Sequence, residues 1–167
     1  MRIIMLVMAV VSLVGLSGCY SKQSGLKAYN GPEVTRVIIL KGDRRMHLMH
    51  GKKALKSYDI DLGFAPEGHK QFEGDGRTPE GRYFVDRRNP NSAFHLSLGI
   101  SYPNAQDRAR AAAAGTSPGG DIFIHGGPRR MDPQGGDWTA GCVSVSDNEI
   151  ENVFAMVRTG TPVDIYR

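Results

Sequence analysis

Eight short runs of alternating or β-branched residues, each broken off by a cluster of Gly, Pro, Asn or Asp, constrain this chain more than any other feature. They cover Val34 to Leu40, Met46 to His50, Leu55 to Leu62, Arg82 to Val85, Phe94 to Ile100, Asp121 to His125, Val143 to Val145 and Pro162 to Tyr166. This is the pattern of a mostly antiparallel β domain. Two helices interrupt it. One is expected from about Ala105 to Ala114, between an Asn104 cap and a Gly115 stop. The other opens on Ser146-Asp147-Asn148-Glu149, a capping-box sequence, and its apolar positions Ile150, Val153, Phe154 and Val157 form one stripe that should pack on the sheet.

A different kind of sequence precedes this pattern. Arg2 and the apolar run from Ile3 to Leu16 read as an export signal over residues 1–18. The run is shorter than the roughly 20 apolar residues of a spanning helix, and it ends in small residues rather than a charge cluster. Leu16-Ser17-Gly18-Cys19 resembles the lipobox of bacterial lipoproteins, in which the Cys is acylated and becomes the mature N-terminus. That resemblance implies a lipid anchor on Cys19 and a periplasmic protein held at a cell membrane. Tyr20, rather than Asp, after the Cys favours the outer membrane. Residues 19–33, rich in Ser, Lys, Gly and Asn, read as a lipidated tether. Residues 34–167 then form one domain with a real core.

The chain has two cysteines. With Cys19 lipidated, Cys142 has no partner in a compartment where thiols are usually paired. A lone thiol kept there points to chemistry. The net charge of +4 suits an anionic wall polymer or lipid surface, and equally a solvated face. No motif supports nucleic-acid binding. The segment from Gly74 to Gly81 is a loop of residues tolerant of unusual backbone angles, without the spacing or the following helix of a phosphate loop. His47 and His50, three apart in a strand, point to opposite faces, which argues against a metal pair. No metal or other cofactor is expected.

His125 ends the apolar strand Asp121-Ile122-Phe123-Ile124-His125 and runs straight into Gly126-Gly127. Cys142 follows Trp138-Thr139-Ala140-Gly141. A thiol attacks a carbonyl as the thiolate, and an imidazole within hydrogen-bond reach can take its proton. The Gly141-Cys142 backbone can offer N–H groups to the resulting oxyanion, with Gly141 permitting close approach. On these residues alone, an inert buried Cys and a satisfied strand-end His fit as well.

Four blocks together resemble the signature of YkuD-type L,D-transpeptidase catalytic domains. They are Asp121 to Gly126, Asp137 to Val145, Gly74 to Gly81, and Phe94 to Pro103. The resemblance implies a mainly β, YkuD-like sandwich or barrel with two peripheral helices, acting on peptidoglycan stem peptides. Cys142 would be the nucleophile, forming a thioester with the carbonyl of an L residue next to a D residue, and His125 the proton acceptor and donor. An amine or water would then resolve the thioester. Ala140 stands where the family often has His, and Ser144 where it often has Arg or Asn. Those departures leave nucleophile and base in place and open the question of the acceptor. The Asp-Trp-Thr-x-Gly-Cys form resembles a subgroup that includes enzymes detaching proteins from peptidoglycan. Hydrolysis of an L,D linkage, with a wall-linked protein as partner, is therefore the alternative to transpeptidation. A lipoprotein that binds peptidoglycan without turning it over is the third reading. Candidate substrate contacts are Arg77, through a bidentate grip on a carboxylate, with His95, Gly126, Trp138 and Thr139. Against these stand a solvated loop arginine, a structural histidine and a tryptophan packed in the core.

Overall fold

The computed structural model describes residues 26–127 and 136–167. The export segment, Cys19, Arg129 and Arg130 lie outside the described residues. Within them the chain is mainly β, in the order β1 (Arg36–Leu40), β2 (Arg45–His50), β3 (Lys53–Asp59), β4 (Gly81–Ser92), β5 (His95–Ile100), α1 (Ala105–Ala113), β6 (Phe123–His125), β7 (Val143–Ser144), α2 (Asp147–Met156) and β8 (Pro162–Tyr166). The eight strands join in one sheet ordered β3-β2-β1-β8-β4-β5-β6-β7. Its pairs are antiparallel except β1 with β8 and β6 with β7, which are parallel. All eight expected strands and both helices are present, and the mostly antiparallel expectation holds.

β4 differs most from its sequence pattern. The alternating run stops near Val85, yet the strand continues through the polar stretch Asp86 to Ser92. Its first residues pair with β8 and its later ones with β5, so it links the two halves of the sheet. Pairing on the β5 side overrides the weak local preference of that stretch, as commonly happens in sheets. Pro90, with no N–H to give, sits where the ladder is irregular between Asn89 and Ser92. Arg88 ties the strand to α2, its guanidinium lying 4.1 Å from the Phe154 ring centroid.

The two outer strands of the sheet also meet. Beyond β3 the chain continues to Asp61, whose N–H donates to Ser144 O at 3.0 Å while Ser144 N–H donates to Asp61 O at 2.9 Å. Thr139 N–H then donates to Leu62 O and Phe64 N–H to Thr139 O. The sheet thus curls round, and its edge backbone groups find partners rather than facing solvent. Inside lies the apolar core, including Val37, Ile39, Leu48, Leu98, Ile124 and Val143, all with no measurable exposure.

Of the two helices, α2 contributes to this core and packs on β5. α1 is capped by Asn104, which accepts from the N–H groups of Gln106 and Asp107. Asp107 reaches back to Asn104 N–H, accepts the Tyr83 hydroxyl at 3.0 Å and lies 3.1 Å from His69 Nε2. α2 begins at Ser146, whose N–H is accepted by Glu149. Ile150, Val153, Phe154 and Val157 form the buried stripe expected of it. Ile150 also backs the loop that follows β6, since a Cβ added at Gly126 would come within 2.7 Å of Ile150 Cγ2. Ile150→Ala should therefore lower unfolding stability by about 2–5 kcal/mol. Urea denaturation checks this, and a loss under 1 kcal/mol would mean that α2 is not keyed into the core here.

Candidate functional site

β6 and β7 run parallel, with Ile124 opposite Val143 and His125 opposite Ser144. Ile124 and Val143 point into the core. By alternation, Phe123, His125, Cys142 and Ser144 lie on the other face. Cys142 and His125 are thus brought to one face, but two residues out of register, with Cys142 opposite Phe123. The Sγ of Cys142 accepts from Phe123 N–H at 3.4 Å and faces Asp121 O at 3.6 Å. No hydrogen bond joins it to the imidazole.

The turn before the thiol is held from several sides. Thr139 Oγ1 donates to Cys142 O at 2.8 Å and accepts from Gly141 N–H at 3.1 Å. Thr78, from the Gly74–Gly81 loop, also donates to Cys142 O. Gly141 has φ of 129°, and a Cβ there would meet Arg77 O at 2.6 Å, so the position admits no side chain. Asp137 anchors the start of the turn by accepting from Leu62 N–H and from the Arg44 guanidinium. The Gly141 N–H expected at an oxyanion is engaged by Thr139. Among the described residues, nothing accepts from Cys142 N–H, which leaves that donor available.

His125 is almost fully buried, stacked on Phe94 at 4.5 Å between ring centroids and edge-on to Trp138 at 5.7 Å. Its Nδ1 donates to Gly126 O, which leaves Nε2 as the acceptor nitrogen. Burial pushes the His125 pKa below the ordinary imidazole value, partly offset by that hydrogen bond. Burial likewise pushes the Cys142 thiol up. Asp121 adds to the rise, while Phe123 N–H and Lys70 oppose it. Both effects favour a neutral thiol beside a neutral imidazole rather than a resting ion pair.

The thiol opens into a cavity of about 320 Å³ whose wall includes Lys70, Glu73, Asp121, Ile122 and Ala140. Lys70 was not singled out in the sequence, where a lysine between His69 and Gln71 in a polar loop has no distinguishing signal. Its side chain is only 3% exposed, and its Nζ donates to Asp75 Oδ1 at 2.8 Å and Phe72 O at 3.1 Å. Burial pushes the Asp75 carboxyl up, but Lys70 and the N–H groups of Gln71, Arg77 and Phe72 outweigh it and hold it below the usual carboxylate range. The loop legible as Gly-rich is thus organised around a carboxylate.

The other candidates are spread out. Gly126 and Trp138 lie against His125, and Gly126 is crowded by Asp147, Ile150 and Phe94 O. Thr139 and Gly141 shape the turn. His95 pairs with Glu151 at 2.9 Å, on the α2 side, and Arg77 is absent from the wall of the thiol cavity. His47 bonds Ser57 and His50 bonds Glu33 O.

Residues 34–165 match the family model of the YkuD L,D-transpeptidase catalytic domain. The "Putative L,D-transpeptidase YafK" of Escherichia coli (strain K12) is 27% identical over 163 residues, spanning 92% of this chain and 61% of that protein. The helical cell shape determining protein Pgp2 from Campylobacter jejuni superposes with a TM-score of 0.64 at 27% identity, over 83% of this chain and 49% of Pgp2. The Enterococcus faecium L,D-transpeptidase C442S mutant shares the fold, with a TM-score of 0.53 at 18% identity over 81% of this chain and 50% of its own. The chain therefore spans about half to three fifths of the length of these relatives.

The raised thiol and lowered imidazole predict how Cys142 reacts with pH. Alkylation follows the thiolate fraction. The iodoacetamide rate should rise steadily with pH and reach half-maximum above about 8.5, the ordinary thiol value. A plateau already present below pH 7 would instead show a preformed thiolate–imidazolium pair.

Proposed function

The chain belongs to the YkuD L,D-transpeptidase catalytic domain family, and from that premise we propose that it performs acyl transfer on L,D peptide linkages of peptidoglycan through a Cys142 thioester. The shared face of Cys142 and His125 on paired strands, with the thiol opening into a cavity, carries this reading. Rotation about the Cys142 Cα–Cβ bond swings Sγ away from Asp121 O toward the imidazole, a tightening that often accompanies substrate binding. Nε2 of His125 takes the thiol proton, and the thiolate attacks the carbonyl of the L residue. The Cys142 N–H is the backbone donor left for the oxyanion. Collapse of the tetrahedral species breaks the C–N bond, and the leaving amine takes the proton from His125. A second amine, or water, then attacks the thioester, gives its proton back through His125, and releases Cys142 as the thiol. The relatives' names, an L,D-transpeptidase and a cell shape determining protein, agree with a wall substrate.

Hydrolysis is the second reading. Among the described residues, Ser144 Oγ and Trp138 Nε1 are buried with no hydrogen-bond partner, one opposite His125 in the ladder and the other in ring contact with it. Polar groups of this kind favour a water held at the base. Such a water would resolve the thioester and release a stem peptide or a wall-linked protein.

Purified protein incubated with tetrapeptide muropeptides and with protein-linked peptidoglycan, followed by mass, separates the two. Cross-linked or D-amino-acid-exchanged products mark the transpeptidase, and released tripeptide or freed protein marks the hydrolase. Cys142→Ala should abolish either, and His125→Gln should lower the rate by about 10²–10⁴-fold. Full activity in Cys142→Ala would sink the thioester.

The lipobox-like Leu16-Ser17-Gly18-Cys19 supports a location at the periplasmic side of a membrane, with the outer membrane favoured. Cys19→Ser should abolish palmitate labelling in cells and move the protein into the aqueous phase of a detergent partition. Unchanged labelling would refute the anchor.

A further inference from the structure

A row of paired residues crosses the sheet to the thiol. Arg87 of β4 lies opposite Gly99 of β5, and Gly99 opposite Phe123 of β6. Phe123 in turn stands opposite Cys142, just before β7. Directly opposite residues share one face of a sheet, and with no side chain at Gly99 the arginine reaches across β5. A Cβ there would come within 2.6 Å of both Arg87 Cγ and Asp86 Oδ1. The register of β4 shifts between Val85 and Arg87, a bulge that sets Asp86 and Arg87 over the same glycine. Three partners then fix the guanidinium. It donates to Asp86 Oδ2 at 3.1 Å and to Asp121 Oδ1 at 2.8 Å, and its Cζ lies 4.5 Å from the Phe123 ring centroid.

Asp121 and Phe123 are also the residues whose backbone meets the thiol. Phe123 N–H donates to Sγ at 3.4 Å, and Sγ faces Asp121 O at 3.6 Å. Asp121 has φ of 54°, a left-handed conformation that a residue with a side chain rarely keeps unless its surroundings hold it. Its side chain is 88% exposed, so burial does not hold it, and Arg87 grips its carboxylate. We infer that Arg87 is a positioning residue for the Cys142 nucleophile: reaching across Gly99, it fixes Asp121 and Phe123, whose backbone groups seat Sγ. An exposed ion pair adds little to overall stability, so the bridge acts on local geometry and charge rather than on the fold. The charged and titratable groups around the thiol are Asp121, Lys70 and Glu73 on the cavity wall, with His125 on the same face of β6. Burial and, after it, the Asp121 charge push the thiol up, while Phe123 N–H and Lys70 oppose them. Arg87 balances the Asp121 carboxylate from outside the cavity. A lysine would carry the charge without the planar fork that meets two carboxylates while lying over a ring.

The inference rests on the acyl-transfer reading for turnover, but the thiol can be followed without a substrate. The test uses the full chain carrying Cys19→Ser, which leaves Cys142 as its only thiol. Arg87→Gln and Asp121→Asn cut the same bridge from its two ends, and both should melt within a few degrees of the parent. Their iodoacetamide profiles should move in opposite directions. Arg87→Gln leaves the Asp121 carboxylate unbalanced, so the profile moves to higher pH and the rate at pH 7.5 falls roughly 2–3-fold. Asp121→Asn removes that charge, so the profile moves to lower pH and the rate rises by a similar factor. Turnover of tetrapeptide muropeptides should nonetheless fall in both, by about 10-fold in kcat with KM little changed. Arg87→Lys, which keeps the charge without the two-sided grip, should restore the alkylation rate but not kcat. Profiles that stay put or move the same way in both variants overturn the inference, as does an unchanged kcat in both. A parent that turns nothing over sinks the acyl-transfer reading, and the alkylation profiles then decide this inference alone.

Discussion

Two residue pairs in a parallel ladder hold the reactive centre together. Ile124 and Val143 bury their side chains in the core, and that commitment turns His125, Cys142 and Ser144 to the opposite face. A slip of one residue in β7 would turn Val143 outward and the thiol or Ser144 into the core, and a slip in β6 would turn Ile124 outward and Phe123 or His125 inward, exchanges opposed by the burial of both apolar residues. The backbone bonds between Asp61 and Ser144 clamp the outer side of β7, which would otherwise be a free sheet edge. A two-residue strand such as β7 is rigid because it is paired on both sides.

Around that ladder the protein withholds solvent from the groups that must change charge. Phe94 and Trp138 enclose His125, and the carbonyl of Gly126 fixes which nitrogen carries its proton. Burial favours the neutral form of both His125 and Cys142. Neither group therefore rests charged: the thiol keeps its proton and the imidazole does not take a second one. A thiol held in its protonated form also reacts slowly in disulfide exchange.

The Gly74–Gly81 loop contributes more than a permissive backbone. Asp75 gathers the loop's N–H groups and the Lys70 ammonium, Thr78 bonds the carbonyl of Cys142, and Arg77 O closes over Gly141. One loop thereby holds both the turn that carries Cys142 and the buried Lys70 ammonium beside it.

The sequence alone determined the strand and helix inventory, because alternation and turn residues are local signals. The capped helix at Ser146 and the final strand at Pro162 were legible to within a residue or two. It also singled out Cys142 and His125, since a lone thiol and a strand-end histidine before glycines stand out chemically. It did not reveal the extension of β4 through Asp86 to Ser92, because those polar residues are held by a neighbouring strand rather than by their own preference. Lys70 was equally hidden, for a loop lysine looks solvated until tertiary structure buries it against Asp75. Nor could spacing tell that Gly141 N–H is spent on Thr139, or that Sγ rests against Phe123 and Asp121. Which donors are free and which charges lose water are properties of packing between distant segments, and only the tertiary structure decides them.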